Sequence, residues 1–127
     1  MRKSFTIDGV NFSSLSGFFD EFSRVMKPYD WWGRNLDAFI DVLRGGIGTP
    51  DEGYVLIWKN SDISRERLGH GETVKELERR LTRVHSSNVS SVQRQIDLAR
   101  RGDGETVLDW LVDSIQTEGK NIELRLE

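Results

Sequence analysis

The chain has 127 residues, 36% hydrophobic and 31% charged, which describes one domain long enough to bury a real core and too apolar to be disordered. It contains no cysteine, and that excludes a disulfide framework, thiolate zinc sites and cysteine nucleophiles. The net charge of −3 is unevenly held: residues 62–101 carry 9 basic and 6 acidic side chains and the rest 9 basic and 15 acidic, so an acidic framework suited to basic protein partners holds a mildly basic segment.

In chain order, Met1 to Thr6 has charge but no apolar run behind it, and no later stretch is long and apolar enough for a bilayer. The expectation is a cytoplasmic protein with no signal peptide and no membrane partner. Phe5 and Ile7 alternate with Ser4, Thr6 and Asp8 in a short strand closed by Asp8-Gly9. Ser13 or Ser14 then caps a helix whose Leu15, Phe18, Phe19, Phe22, Val25 and Met26 share one face, ended before Pro28. That aromatic stripe reads as core.

The stretch Tyr29–Gly46 is a loop opening into a short helix. Asn35 is a suitable N-cap. Leu36, Phe39, Ile40, Leu43 and Ile47 recur at the helical period, and Gly45 and Gly46 supply the stop. Asp37 and Asp41 then share the flank away from the apolar face, next to a loop carrying Trp31 and Trp32. Two readings stand. The pair of carboxylates and the tryptophans form a docking surface, or Arg44 pairs with Asp41 on a solvated face and both tryptophans are core.

Pro50 to Gly53 makes a turn, and Tyr54-Val55-Leu56-Ile57-Trp58 is a continuous apolar run, as in a central parallel strand covered on both faces. Residues 62–101 supply two further helices with narrow apolar stripes, Val74, Leu77, Leu81, Val84 and Val89, Val92, Ile96, Ala99, turned around Ser86-Ser87-Asn88. A helix from about Glu105 to Thr117 buries Val107, Leu108, Leu111, Val112 and Ile115. Asp109 and Asp113 lie opposite, and Trp110 falls between, either a lid over the helix edge or a contact residue. Ile122 to Leu126 alternates as a half-exposed last strand. Helices separate the three strands, so the predicted fold is α/β: a three-stranded parallel sheet with 54–58 at its centre, packed with helices, in one domain over 1–127 with a helical hairpin inserted at 62–101.

Catalytic chemistry finds little support. There is no Gly-x-Ser-x-Gly, phosphate loop or His-Glu-x-x-His. His70 sits in Gly-His-Gly, which reads as an exposed turn, and His85 ends a helix. Asp37 and Asp41 alone complete neither a metal site nor an acid–base pair. The reading is a non-enzyme without cofactor or metal. Arg79, Arg80, Arg83, Arg94, Arg100 and Arg101 form a basic strip, but acidic residues interrupt it and no aromatic side chain is expected among them, which argues against direct nucleic-acid binding.

Trp-Trp-Gly-Arg-Asn-Leu-Asp-Ala-Phe-Ile-Asp-Val-Leu, residues 31–43, resembles the signature of the barstar family, small intracellular inhibitors of barnase-like ribonucleases. Pro28, Ile7-Asp8-Gly9, Leu56-Ile57-Trp58 and Gly104 to Leu108 running to Ile122 follow the same order. The resemblance implies a barstar-like inhibitor of a basic extracellular-type ribonuclease or toxin ribonuclease domain, an immunity or antitoxin protein, monomeric when free. It implies partner contacts for Trp31, Gly33, Asn35, Leu36, Asp37, Ala38, Asp41 and Gly45, with Trp32 turned inward and Trp110 and Asp113 as a second patch. Asp41 would occupy the cationic, phosphate-shaped cleft, with Asp37 near its rim. The chain departs from the family in having Ile40 and Gly46 where the pattern has Trp, and a longer segment between Asn60 and Gly102. The rival reading is a non-inhibitory interaction module that uses the basic hairpin.

Overall fold

A computed structural model describes residues 2–127. Three strands, β1 (Lys3–Asp8), β2 (Tyr54–Lys59) and β3 (Ile122–Leu126), form one parallel sheet in the order β1-β2-β3. Phe5 stands opposite Leu56 and Leu56 opposite Leu124. The helices are α1 (Leu15–Met26), α2 (Leu36–Arg44), α3 (Ser61–Arg67), α4 (His70–Leu81), α5 (Val89–Arg100) and α6 (Val107–Glu118). None is long and apolar enough to cross a membrane among the described residues.

The apolar run of β2 is central because it is covered on both sides: Tyr54, Val55, Leu56 and Trp58 are buried and Ile57 half-buried. The core is dominated by aromatic rings from α1. Phe18 stacks on Trp58 at 5.2 Å between centroids and meets Phe39 of α2 edge-on at 5.4 Å, and Phe22 meets Phe39 at 5.1 Å. The Trp58 indole N–H, which cannot be left unpaired in such a site, donates to Ser64 Oγ of α3 at 2.9 Å. On α6, Val107, Leu108, Leu111 and Ile115 join the same core.

The segment expected to hold two helices holds three. α3 follows β2 almost directly and ends at Leu68, which is buried in the main core. α4 and α5 then pair as a hairpin around a second, smaller cluster of Leu77, Val92, Ile96 and Ala99. Val89, expected in that stripe, is exposed, because α5 only begins there. His70 is not in an exposed turn: it opens α4, half-buried, with Nε2 3.2 Å from the Gly104 carbonyl oxygen.

Two side chains from the first turn of α4 fasten the hairpin to the rest of the molecule. Glu72 is buried and its Oε2 accepts from the Leu15 N–H at the start of α1, at 2.8 Å. Thr73 Oγ1 accepts from the Val107 N–H at the start of α6, at 2.9 Å. Both bonds satisfy first-turn donors that have no partner within their own helices.

Replacing Glu72 with Ala, or Thr73 with Val, therefore strands a buried N–H and should destabilise the fold by about 1–3 kcal/mol. Urea unfolding checks this; an unchanged midpoint for both variants would mean that α4 is not anchored through these bonds.

Candidate functional site

The loop before α2 sorts its two tryptophans by hydrogen bonding and burial. The Tyr29 N–H donates to the Ile47 carbonyl and the Trp32 N–H to the Tyr29 carbonyl, each at 3.1 Å, which curls the segment against the chain beyond α2. Trp32 is turned inward: its indole N–H donates to Ser23 Oγ at 2.9 Å, and its ring meets Phe19 edge-on. Trp31 is turned outward and is 70% exposed, leaning on the Tyr29 ring at 5.8 Å. Tyr29 in turn lies so close to Gly48 that a Cβ there would come within 2.9 Å of its ring.

Arg34, in left-handed backbone geometry with φ 51°, turns the chain into α2, and its guanidinium reaches Asp20 of α1 at 2.9 Å. Asn35 caps the helix, its Oδ1 accepting from the Ala38 N–H at 2.8 Å. Gly45 and Gly46 end it with φ of 98° and 87°, a region that side chains with a Cβ rarely adopt. The deepest residues are Phe39, Val42 and Leu43, so the inward face is rotated toward Val42 from the stripe read off the sequence. Leu36, Ala38 and Ile40 are half-buried along its edges.

Asp37 and Asp41 face solvent. Neither forms an ion pair among the described residues. Arg44, the obvious partner for Asp41, is engaged elsewhere: its Nε donates to Glu118 at the end of α6, at 2.9 Å. That hydrogen bond, with the charge of Glu118, raises the guanidinium pKa, and the Asp41 charge adds less than either. Trp31, Gly33, Asn35, Asp37 and Asp41 are thus exposed on one loop and helix, with Leu36, Ala38 and Gly45 half-buried beside them. A rigid row of free carboxylates beside an exposed aromatic pair suits a cationic protein surface.

The second patch divides. Asp113 is exposed on α6. Trp110 is half-buried, packs against both hydrophobic clusters, and has the Arg80 guanidinium 5.4 Å above its ring centroid. It joins the hairpin to the main core, while its edge lines a groove of about 730 Å³ between α4 and the start of α2. The arginine strip is therefore not without an aromatic neighbour: Trp110, thirty residues downstream of Arg80, lies beneath it. Asp109, expected on the outer face with Asp113, closes a reciprocal cap with Thr106. Among the described residues no three His, Asp or Glu side chains converge as a metal site would require.

The family model described as "Barstar (barnase inhibitor)" matches residues 2–99 of the chain. A Bacillus subtilis (strain 168) protein, YrdF, which carries the name of a candidate ribonuclease inhibitor, is 36% identical over 69 residues, covering 54% of this chain and 71% of that protein. The loop and α2 fall inside the span matched by the family model, whereas Trp110 and Asp113 lie beyond it.

The burial pattern makes Trp31 the tryptophan that solvent reaches first. Iodide or acrylamide should quench one readily accessible component of the fluorescence, and Trp31→Phe should remove it with a stability change within about 0.5 kcal/mol, as for surface substitutions generally. A W31F protein quenched like the parent would place another indole at the surface.

Proposed function

The chain belongs to the barstar family, and on that premise we propose that it is a ribonuclease inhibitor, not an enzyme, whose α2 carboxylates fill the cationic active-site cleft of a barnase-like ribonuclease. A cleft shaped for phosphate offers arginine and lysine donors at fixed positions. Carboxylates on a rigid helix reproduce the charge and the acceptor geometry of the substrate without its scissile bond. Asp41 is the anchor in this reading and Asp37 the contact nearer the rim. Trp31 and the exposed backbone at Gly33 supply the close-fitting margin that keeps water from the ion pairs.

The observation that carries the reading is the free state of Asp37 and Asp41: both are exposed and unpaired, while the nearby Arg44 is held by Glu118. A pair already neutralised within the inhibitor would have to be broken before it could serve a partner, and the cost would be subtracted from affinity. The acidic balance outside residues 62–101 supports the same reading through encounter: a negative surface draws a basic enzyme in and orients it. Such a protein would serve in the cytoplasm as the antidote to a nuclease made by the same cell.

Asp41→Ala should weaken inhibition of the target, assayed across a panel of barnase-type ribonucleases, by about 2 kcal/mol or more, the range of a buried interface anchor. The fold should be intact or slightly more stable, since the variant relieves repulsion between carboxylates four residues apart. Full inhibition by the variant would exclude substrate mimicry. In the parent protein the association rate should drop steeply between low salt and physiological ionic strength while dissociation changes little; a flat response would exclude steering.

A further inference from the structure

The groove beside α2 carries the opposite charge to the helix it borders. Arg34, Arg79, Arg80 and Arg83 line it, against two carboxylates, Asp37 and Glu76. Arg34 is paired with Asp20 and Arg79 with Glu76. Arg80 and Arg83 form no ion pair among the described residues: Arg80 lies over Trp110, and the Nε of Arg83, in the turn just past α4, donates to the Arg79 carbonyl at 3.4 Å. The floor is apolar, formed by Leu15, Phe19 and Leu36. Asn35, Leu36 and Asp37 belong to both the groove and the start of α2, so a protein seated on α2 has the groove directly along one side.

We propose that this groove receives an acidic segment of the same ribonuclease that α2 engages, so that the preferred partner presents a cationic cleft bordered by carboxylates. The inference rests on the inhibitor reading for the identity of the partner, and on the groove's own charge for the chemistry of the segment. Two guanidinium groups outside any ion pair, over an apolar floor, suit a chain whose carboxylates point to the rim and whose apolar side chains point inward. The same groups repel an enzyme whose surface is basic throughout, so the hairpin selects among ribonucleases that α2 alone would accept. A nucleic acid strand fits less well. The face of Trp110 is taken by Arg80, which leaves no open ring for a base. Asp37 and Glu76 also oppose a phosphate backbone, which carries a charge at every step, whereas a peptide can space its carboxylates around them.

The test uses the full chain with three probes: a short synthetic peptide rich in Glu with one Phe, its Gln counterpart, and a single-stranded RNA of equal charge. NMR titration follows the Trp110 indole N–H, assigned with Trp110→Phe. The Glu peptide should shift that resonance in a saturable way and the Gln peptide should not. Arg83→Glu should weaken the peptide about tenfold or more; its side chain is exposed in the turn after α4 and bonds only to the Arg79 carbonyl four residues back, so the fold should be retained. Arg80→Gln, the second variant, should also weaken it. Asp41→Ala should bind the peptide like the parent protein, which separates the groove from the inhibitory helix. The proposal is overturned if the Glu peptide causes no shift, if the RNA binds more tightly at the same resonances, or if neither arginine variant matters.

Discussion

The contact of Phe39 with the aromatic rings of α1 decides which way α2 faces. Phe39, Val42 and Leu43 must all point inward to meet Phe18, Phe22 and the sheet, and at about 100° per residue that leaves Asp37, Asp41 and Arg44 no choice but solvent. The orientation of the acidic face is therefore set by hydrophobic packing alone. Burying an aromatic side chain of this kind stabilises by about 1.5–3 kcal/mol, far more than the carboxylates could gain or lose by turning inward as a paired set. A helix clamped so firmly on one side can present charge on the other with little reorganisation when a partner arrives.

The hairpin obeys a different logic. Its cluster is small, and its apolar stripes are too narrow to hold two charged helices by themselves. It is tied down where α4 begins, by acceptors offered to the first turns of α1 and α6, and by Trp110, which takes part in both clusters. The attachment is thus polar at one end and aromatic toward the other. Between those ends the α4 arginines are held at a fixed distance from α2, and the groove is the space left over.

Much of this was legible in the sequence because it is local. The Asn35 cap, the Gly45 stop and the continuous run of β2 follow from residues within a turn or two of one another, whereas the inward Trp32 follows only from the family resemblance, its partners Ser23 and Phe19 lying on α1. The parallel order of the strands follows from the helices between them. What escaped is long-range. Nothing near Arg44 indicates that its partner is Glu118, seventy-four positions away, or that Glu72 caps α1 fifty-seven positions earlier. The arginines of α4 read as an unaccompanied basic strip because Trp110 reaches them only through the tertiary fold. The helical period identified α2 but placed Val42 off the buried face, since a five-member stripe tolerates a modest rotation and only the packing partner removes it.

The charges left over are the common feature of both walls. On α2, like charges four residues apart weaken the helix by about 0.2–0.5 kcal/mol, a loss that a domain with a net stability of about 5–15 kcal/mol tolerates easily. On α4 and the turn after it, Arg80 and Arg83 stand close in sequence, and the nearby Glu76 forms its ion pair with Arg79 and not with them. Opposite charges facing each other across a groove would ordinarily be expected to collapse into pairs, and exposed pairs of that kind contribute only about 0–1 kcal/mol. Here the walls belong to elements anchored in separate hydrophobic clusters, and moving the α4 backbone toward α2 would strain the bonds by which Glu72 and Thr73 hold the starts of α1 and α6. Two buried hydrogen bonds outweigh one solvated ion pair. The anchoring of α4 thus fixes the backbones that carry Asp37 and the arginines opposite, and both signs of charge stay exposed on the walls of the groove.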